Sequence, residues 1–291
     1  MMKRLVLPVA AAVVLTTASC SKDESPSGST DAPAADGGSQ DASAAARPLA
    51  ILSAYLGIVD ANALQAVRLS DVTGCPQVAG DDAMPVVVSI PIDTASLATD
   101  RITVRTVSGA SRTPTCATLA PANEPDELRT LLIAGPLGSA DDPPKEVVFS
   151  GDVLALDGRS YRGVVSPSIT RVDAGVGLAY AIVDKAGPLC AGKGSSTEVQ
   201  LAFQGGVTKN KDNANDEFDA AALPAFHLVD AAGADKTPLA FDDLDDGDNY
   251  LVLCVPAGHA PTRVTVDAKT VFDPTNNPNT SPLEASIEPR N

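Results

Sequence analysis

Between Met84 and Gly109 the chain reads MPVVVSIPIDTASLATDRITVRTVSG. Val86, Val88, Ile90 and Ile92 recur at every second position, with Ser89 and Pro91 on the opposite face, which is the pattern of a half-buried antiparallel strand. Pro91 has no N–H to give to a ladder, so it marks an edge or a bulge near the end of that strand. Asp93, Thr94 and Ser96 supply turn chemistry before Leu97. Alternation resumes from Arg101 to Val107, with Ile102 and Val104 facing one way and Thr103 and Arg105 the other, and Ser108–Gly109 closes the unit.

The same pattern predicts a first strand over Ile51–Val59, then a polar segment containing Cys75. Short strands are expected at Thr115–Leu119, Leu128–Ala134, Lys145–Gly151 and Ser160–Val165, separated by turn clusters at Pro121–Glu127, Gly135–Pro144 and Asp157–Gly158. Strands at this spacing with turn signals between them argue for a sandwich. Further along, Val199, Leu201 and Phe203 alternate with Glu198, Gln200 and Gln204. Strands at Tyr250–Val255 and Thr262–Asp267 follow, and the chain is expected to end in a polar Pro/Asn/Ser tail.

The second half echoes the first. AYLGIVD at Ala54–Asp60 returns as AYAIVD at Ala179–Asp184, and Asp93 and Leu97 return as Asp219 and Leu223. Ile102, Val104, Gly109, Thr113 and Pro114 return as Phe226, Leu228, Gly233, Thr237 and Pro238, at an offset of 124 to 126 throughout. A constant offset over several strands reads as tandem duplication of one fold unit. Ser89, Asp93, Ser96, Leu97, Ile102, Val104 and Gly109 also resemble the strand, turn and strand of bacterial immunoglobulin-like domains of surface proteins. The resemblance covers about 60 residues of each copy. It lacks a clear closing Tyr-x-V-x-V strand, and there is no core Trp of the antibody type. What it implies is an all-β chain of two tandem immunoglobulin-like β-sandwich domains, at 48–168 and 169–291, acting as a structural or binding module without catalysis.

The N-terminus reads as an export signal. Lys3 and Arg4 precede an apolar run from Leu5 to Leu15, too short to cross a membrane as a helix, and Thr17-Ala18-Ser19-Cys20 resembles a bacterial lipobox. The expectation is a signal peptide over 1–19, cleavage before Cys20, and lipid on that cysteine; an ordinary secretory signal with an incidental Cys is the alternative. Ser21 to Arg47 is Ser/Ala/Asp/Gly/Pro-rich and cannot bury enough surface to fold, so 20–47 reads as a lipidated Cys and a disordered linker spanning roughly 30 Å. Ser21 is not the Asp that retains enterobacterial lipoproteins at the inner membrane. By that resemblance the protein is expected in the cell envelope, lipid-anchored at the outer membrane.

Composition narrows the function classes. A chain of 291 residues fits two domains. With no Trp, six Phe and four Tyr, its core must come from Val, Leu, Ile and Ala, and 23 Pro and 22 Gly suit many turns. The net charge is −16; removing Lys3 and Arg4 from the 21 basic residues leaves 19 against 37 acidic, a mature charge of −18. Such a surface repels nucleic acid and anionic headgroups, so nucleic acid is not an expected partner.

Beyond Cys20, Cys75 and Cys116 lie in the first copy and Cys190 and Cys254 in the second. In an exported protein this suggests one disulfide per copy. Four cysteines allow three pairings, of which locality favours 75–116 and 190–254. The two pairs are not at equivalent positions. Zinc is a weaker reading, because no C-x-x-C exists and there are only two His.

Catalytic signals are thin. Gly187–Gly194 nearly spells a phosphate-binding loop, but Gly194 stands where the magnesium-binding hydroxyl belongs, and the segment leads toward a strand. His227 and His259 read as surface histidines, and no G-x-S-x-G elbow accompanies them. Paired carboxylates for glycosidase work lack an aromatic sugar platform. Acidic loops of the second copy offer more: Asp212, Asp216 and Asp219; Asp242, Asp245, Asp246 and Asp248; and Asp273 would emerge at one end of a sandwich. Ca²⁺ takes 6–8 oxygen ligands, and three converging loops would supply them. The same residues also serve simply as turn formers. No cofactor is expected unless calcium binds. The expected function is a non-catalytic envelope lipoprotein that binds or spaces at the surface, with a protein or glycan as ligand class. Alternatives are a calcium-dependent binding module and, behind it, an envelope hydrolase.

Overall fold

The computed structural model describes residues 47–209, 218–242 and 248–290. Among the described residues the chain is all-β with two short α-helices. Its first half runs β1 (Ile51–Leu56), α1 (Ala63–Thr73), β2 (Asp82–Val88), β3 (Ile102–Thr106), β4 (Ser111–Arg112), β5 (Cys116–Thr118), β6 (Thr130–Gly135), β7 (Pro144–Phe149) and β8 (Thr170–Arg171). Its second half runs β9 (Leu178–Lys185), α2 (Pro188–Gly192), β10 (Thr197–Phe203), β11 (Phe226–Asp230), β12 (Asp235–Lys236), β13 (Phe241–Asp242), β14 (Tyr250–Cys254), β15 (Pro261–Val266) and β16 (Leu283–Pro289).

The pairing repeats strand for strand. β5-β6-β2-β1-β8 and β4-β3-β7 in the first half correspond to β13-β14-β10-β9-β16 and β12-β11-β15 in the second, where β15–β16 pairing joins the two sets into one eight-stranded sheet. Among the described residues each half has a single parallel pairing, β1 with β8 and β9 with β16. The agreement extends to register. Val104 faces Val147 and Arg112, Leu228 faces Val264 and Lys236, and both strands carry an irregularity at their last paired residue. Gly109 and Gly233 close these hairpins at φ 88° and 84°, a left-handed conformation that a side chain would strain.

Alternation explains the two cores. Val86, Val88, Ile102, Val104, Val147 and Phe149 meet in the first, and Val199, Leu201, Phe203, Phe226, Leu228 and Val264 in the second. Full burial of each such side chain contributes about 1.5–3 kcal/mol.

Four expectations are corrected. The polar segment before Cys75 is helical over Ala63–Thr73: Asn62 caps it by accepting from the N–H groups of Leu64 and Gln65, Gln65 caps back onto the Asn62 N–H, and Gly74 ends it at φ 68°. Residues 160–165 make only isolated bridges, Ser160 to Leu154 and Val165 to Val148, because Tyr161 turns inward to bond Ile90. Pro188–Gly192 is a short helix with proline in its first turn. The polar tail contains β16, whose Leu283, Ala285 and Ile287 pack on the second core.

Candidate functional site: a seam between the halves and the cleft at its end

Both halves belong to one compact unit, Ala46–Asn291. They meet through a third apolar cluster of Val87, Ala122, Tyr180, Ile182, Ala202 and Tyr250, with Leu52 and Ala179 packed beside it. Residues neighbouring these in sequence, Val86 and Val88, Ala181, Leu201, Phe203 and Leu251, point into the two cores instead. Strands buried on both faces become continuous apolar runs, which is why VVV stands at 86–88 and YAIV at 180–183.

Buried hydrogen bonds cross this seam. Asn249 Nδ2 donates to Thr130 Oγ1 at 3.0 Å and to the Phe203 carbonyl at 2.7 Å. Thr130 Oγ1 donates to the Tyr250 hydroxyl at 3.1 Å, and Tyr250 donates to the Glu127 carbonyl at 2.7 Å. Tyr180 also donates to Tyr250 at 3.1 Å. Nearby, Tyr55 donates to Asp273 Oδ2 at 2.6 Å. The Arg129 guanidinium sits 5.4 Å from the Tyr180 ring centroid. Burial pushes the Tyr180 hydroxyl up to about 12 and the Tyr250 hydroxyl well above 10, and lowers the Arg129 pKa.

A cleft of about 120 Å³ opens at one end of the seam. The first half supplies Tyr55, Gly57, Ile58, Leu69, Val72, Pro85 and Leu132 to its wall, and the second supplies Gly205, Gly206, Asp248, Asn249 and Pro274. Gly205 is required here: a Cβ at that position would lie 2.7 Å from Cδ1 of the buried Tyr55 ring. Helix α1 forms one lip, and its Leu64, Val67 and Val72 are exposed to solvent.

The acidic residues singled out from the sequence go to different places. Asp212, Asp216, Asp245 and Asp246 lie outside the described residues, as does Cys20. Asp219 pairs with Lys209 Nζ at 2.7 Å, which holds its carboxyl below the usual range, and its Oδ1 accepts from the Ala221 N–H. Asp273 is fully buried, with Oδ1 accepting from Thr275 and Asn277 and Oδ2 from Tyr55. Asp248 accepts from the Tyr250 N–H at 2.6 Å and lines the cleft. Asp242 lies beside Glu198 and Cys190, with ligand atoms within 4.8 Å of one another. Burial raises the Glu198 pKa, and its Oε2 accepts from the Gly187 N–H. Cys190 is disulfide-bonded, so its sulfur is not a thiolate ligand. Asp248 and Asp273 thus belong to the cleft end of the seam, the first in its wall and the second holding Tyr55.

The structure pairs Cys75 with Cys116 and Cys190 with Cys254. The positions differ but the job is shared: each ties the helical connection between the first two strands of its half to the sheet, through β5 in one and β14 in the other. His227 stands on β11 with Nδ1 2.9 Å from Asp235 and Nε2 3.5 Å from Asp267. His259 reaches the Leu228 carbonyl through Nε2 at 2.8 Å.

Sequence reasoning did not find the cleft. Its signals were the doubly buried runs and the Gly205–Gly206 pair directly after β10. A scan against protein-family models and a search of curated proteins find no match to this chain.

Proposed function

We propose that this protein is a non-catalytic, lipid-anchored binding module of the cell envelope, in which two immunoglobulin-like β-sandwich units, expected at 48–168 and 169–291 but divided in the strand pairing only after β8, act as one body. Cys20 carries the lipid and the following linker holds the body away from the outer membrane. The repeated eight-strand pairing and register support the tandem-unit reading. The observation that carries the binding role is the cleft walled by both halves: pockets at interfaces between packed units are preferred ligand sites. The seam favours a body that presents this cleft over a string of freely moving units.

Labelling cells with palmitate tests the anchor. Label should enter the wild-type chain and co-fractionate with membranes, and Cys20→Ser should lose both properties. Unlabelled, freely soluble wild-type protein would defeat the reading.

A further inference from the structure

We propose that Arg129 is the centre of an anion site that takes the carboxylate of a small ligand. The site uses neither the cleft wall, of which Arg129 is not a part, nor the anchor.

Arg129 is 4% exposed, and its guanidinium makes no hydrogen bond and no ion pair among the described residues. Nη1 is shut off from solvent without an acceptor. No carboxylate of a described residue, that of Glu127 included, stands within ion-pair distance of it. The fold supplies the Tyr180 ring instead, with the guanidinium carbon over it at 5.4 Å from the centroid. A ring face steadies a cation but accepts none of its in-plane N–H groups. Buried cations are as a rule paired, because an unpaired one has given up its hydration with nothing to replace it. A buried donor left in this way marks the place of a missing acceptor.

Two more cations lie near. Burial lowers the Arg129 pKa; Tyr180 and Tyr250 act against this, and Arg47 and Arg290 add to it. Three guanidinium groups thus share one field on a chain with 21 basic and 37 acidic residues. The outer two are occupied. Arg47 pairs with Glu288, and Arg290 pairs with Asp184 at 2.5 Å and donates to Gln200 Oε1 at 3.1 Å. Their side chains are 16% and 25% exposed, so the cluster runs from the buried group to the surface.

Charge sets the ligand class. Arg129 is the member of the cluster without a carboxylate, and one negative charge completes it. A carboxylate brings one, and its two oxygens match the planar guanidinium fork. A dianion such as sulfate brings a second, within the field of Glu288 and Asp184, which costs affinity.

The full chain carrying Cys20→Ser, so that no lipid affects the melt, is to be heated at neutral pH with sodium chloride exchanged stepwise for sodium acetate, and separately for sodium sulfate, at constant ionic strength. Shifts are read as differences from Arg129→Met, which cancels general salt effects. Acetate is expected to raise the wild-type midpoint along a saturating curve, and sulfate to bind at least about tenfold more weakly. Arg129→Met removes an unpaired buried charge and keeps bulk, so in chloride it should melt at or above the wild type. If it does not fold, Arg129→Lys, which keeps the charge and loses the fork, takes its place and should bind acetate at least about tenfold more weakly than the wild type. A wild-type midpoint no more responsive to acetate than the variant's, sulfate binding as tightly as acetate, or an Arg129→Met chain that folds but melts well below the wild type in chloride overturns the proposal.

Discussion

Asp93 and Asp219 occupy corresponding turns and make the same bond: Oδ1 accepts from the N–H two residues on, at 3.0 Å to Ala95 and 2.9 Å to Ala221. Among the described residues only Asp219 adds an ion pair, with Lys209. A turn role therefore accounts for the repeated Asp, and charge chemistry is the variable addition. The tyrosines of the seam give a pH-dependent property. An unfolded tyrosine ionises near pH 10, while Tyr180 in the folded protein holds its proton to about 12 and Tyr250 holds its own well above 10. Below pH 10 both states keep the proton and stability is unaffected. Between about 10 and about 12 only the unfolded chain releases it, so stability falls as pH rises, by about 3 kcal/mol from Tyr180 alone. Urea midpoints measured at about pH 9 and about pH 11 should show about half of that fall from Tyr180, with tyrosinate absorbance lagging behind that of the denatured chain; Tyr180→Phe should reduce the difference.

At the scale of elements, alternation marked the strands at Met84–Gly109 and from Glu198, whose alternate apolar residues lie in the two cores. The half-buried reading is corrected for β2 and β10, which are buried on both faces, with Val87 and Ala202 in the seam; β3 keeps one exposed face. Helix α1 was missed because Leu64, Val67 and Val72 are exposed, so no buried stripe marks it; its legible signs were Asn62, Gln65 and Gly74 at capping positions. β16 was hidden by flanking Pro, Asn and Ser, although Leu283, Ala285 and Ile287 do alternate with Glu284, Ser286 and Glu288. The shared register of β3 and β11 makes a quantitative test. Val104→Ala and Leu228→Ala remove fully buried side chains from equivalent sites, and each is expected to cost about 2–4 kcal/mol in denaturant unfolding. A large loss at one site and none at the other would break the equivalence of the two strands.

For the whole molecule, the seam decides how the halves unfold. Each has its own core, but Tyr250 and Asn249 of the second half join Thr130 and Glu127 of the first through buried hydrogen bonds. Calorimetry is expected to show one transition for the wild type. Tyr250→Phe removes the acceptor of the Thr130 and Tyr180 hydroxyls and one of the donors to the Glu127 carbonyl, at about 2–3 kcal/mol, and should split or broaden that transition. Two well-separated transitions in the wild type would contradict coupling through the seam. This level of organisation was the least legible in the chain. The cleft is assembled from Tyr55, Leu132, Gly205 and Asn249, far apart in sequence, and no local pattern encodes which outer faces meet.

Strand β1 has one further consequence, for orientation. Arg47, at the entry to the described body, forms an ion pair with Glu288 near its exit, and Arg290 reaches the Asp126 carbonyl and Asp184 close by. From there the chain runs extended along β1 to Tyr55, Gly57 and Ile58 in the cleft wall, eight to eleven residues on and roughly 25–35 Å away. Arg47 and the Tyr55–Ile58 part of the cleft wall therefore stand at opposite ends of β1. A ligand entering the cleft therefore meets the end of β1 that lies away from the Arg47 ion pair.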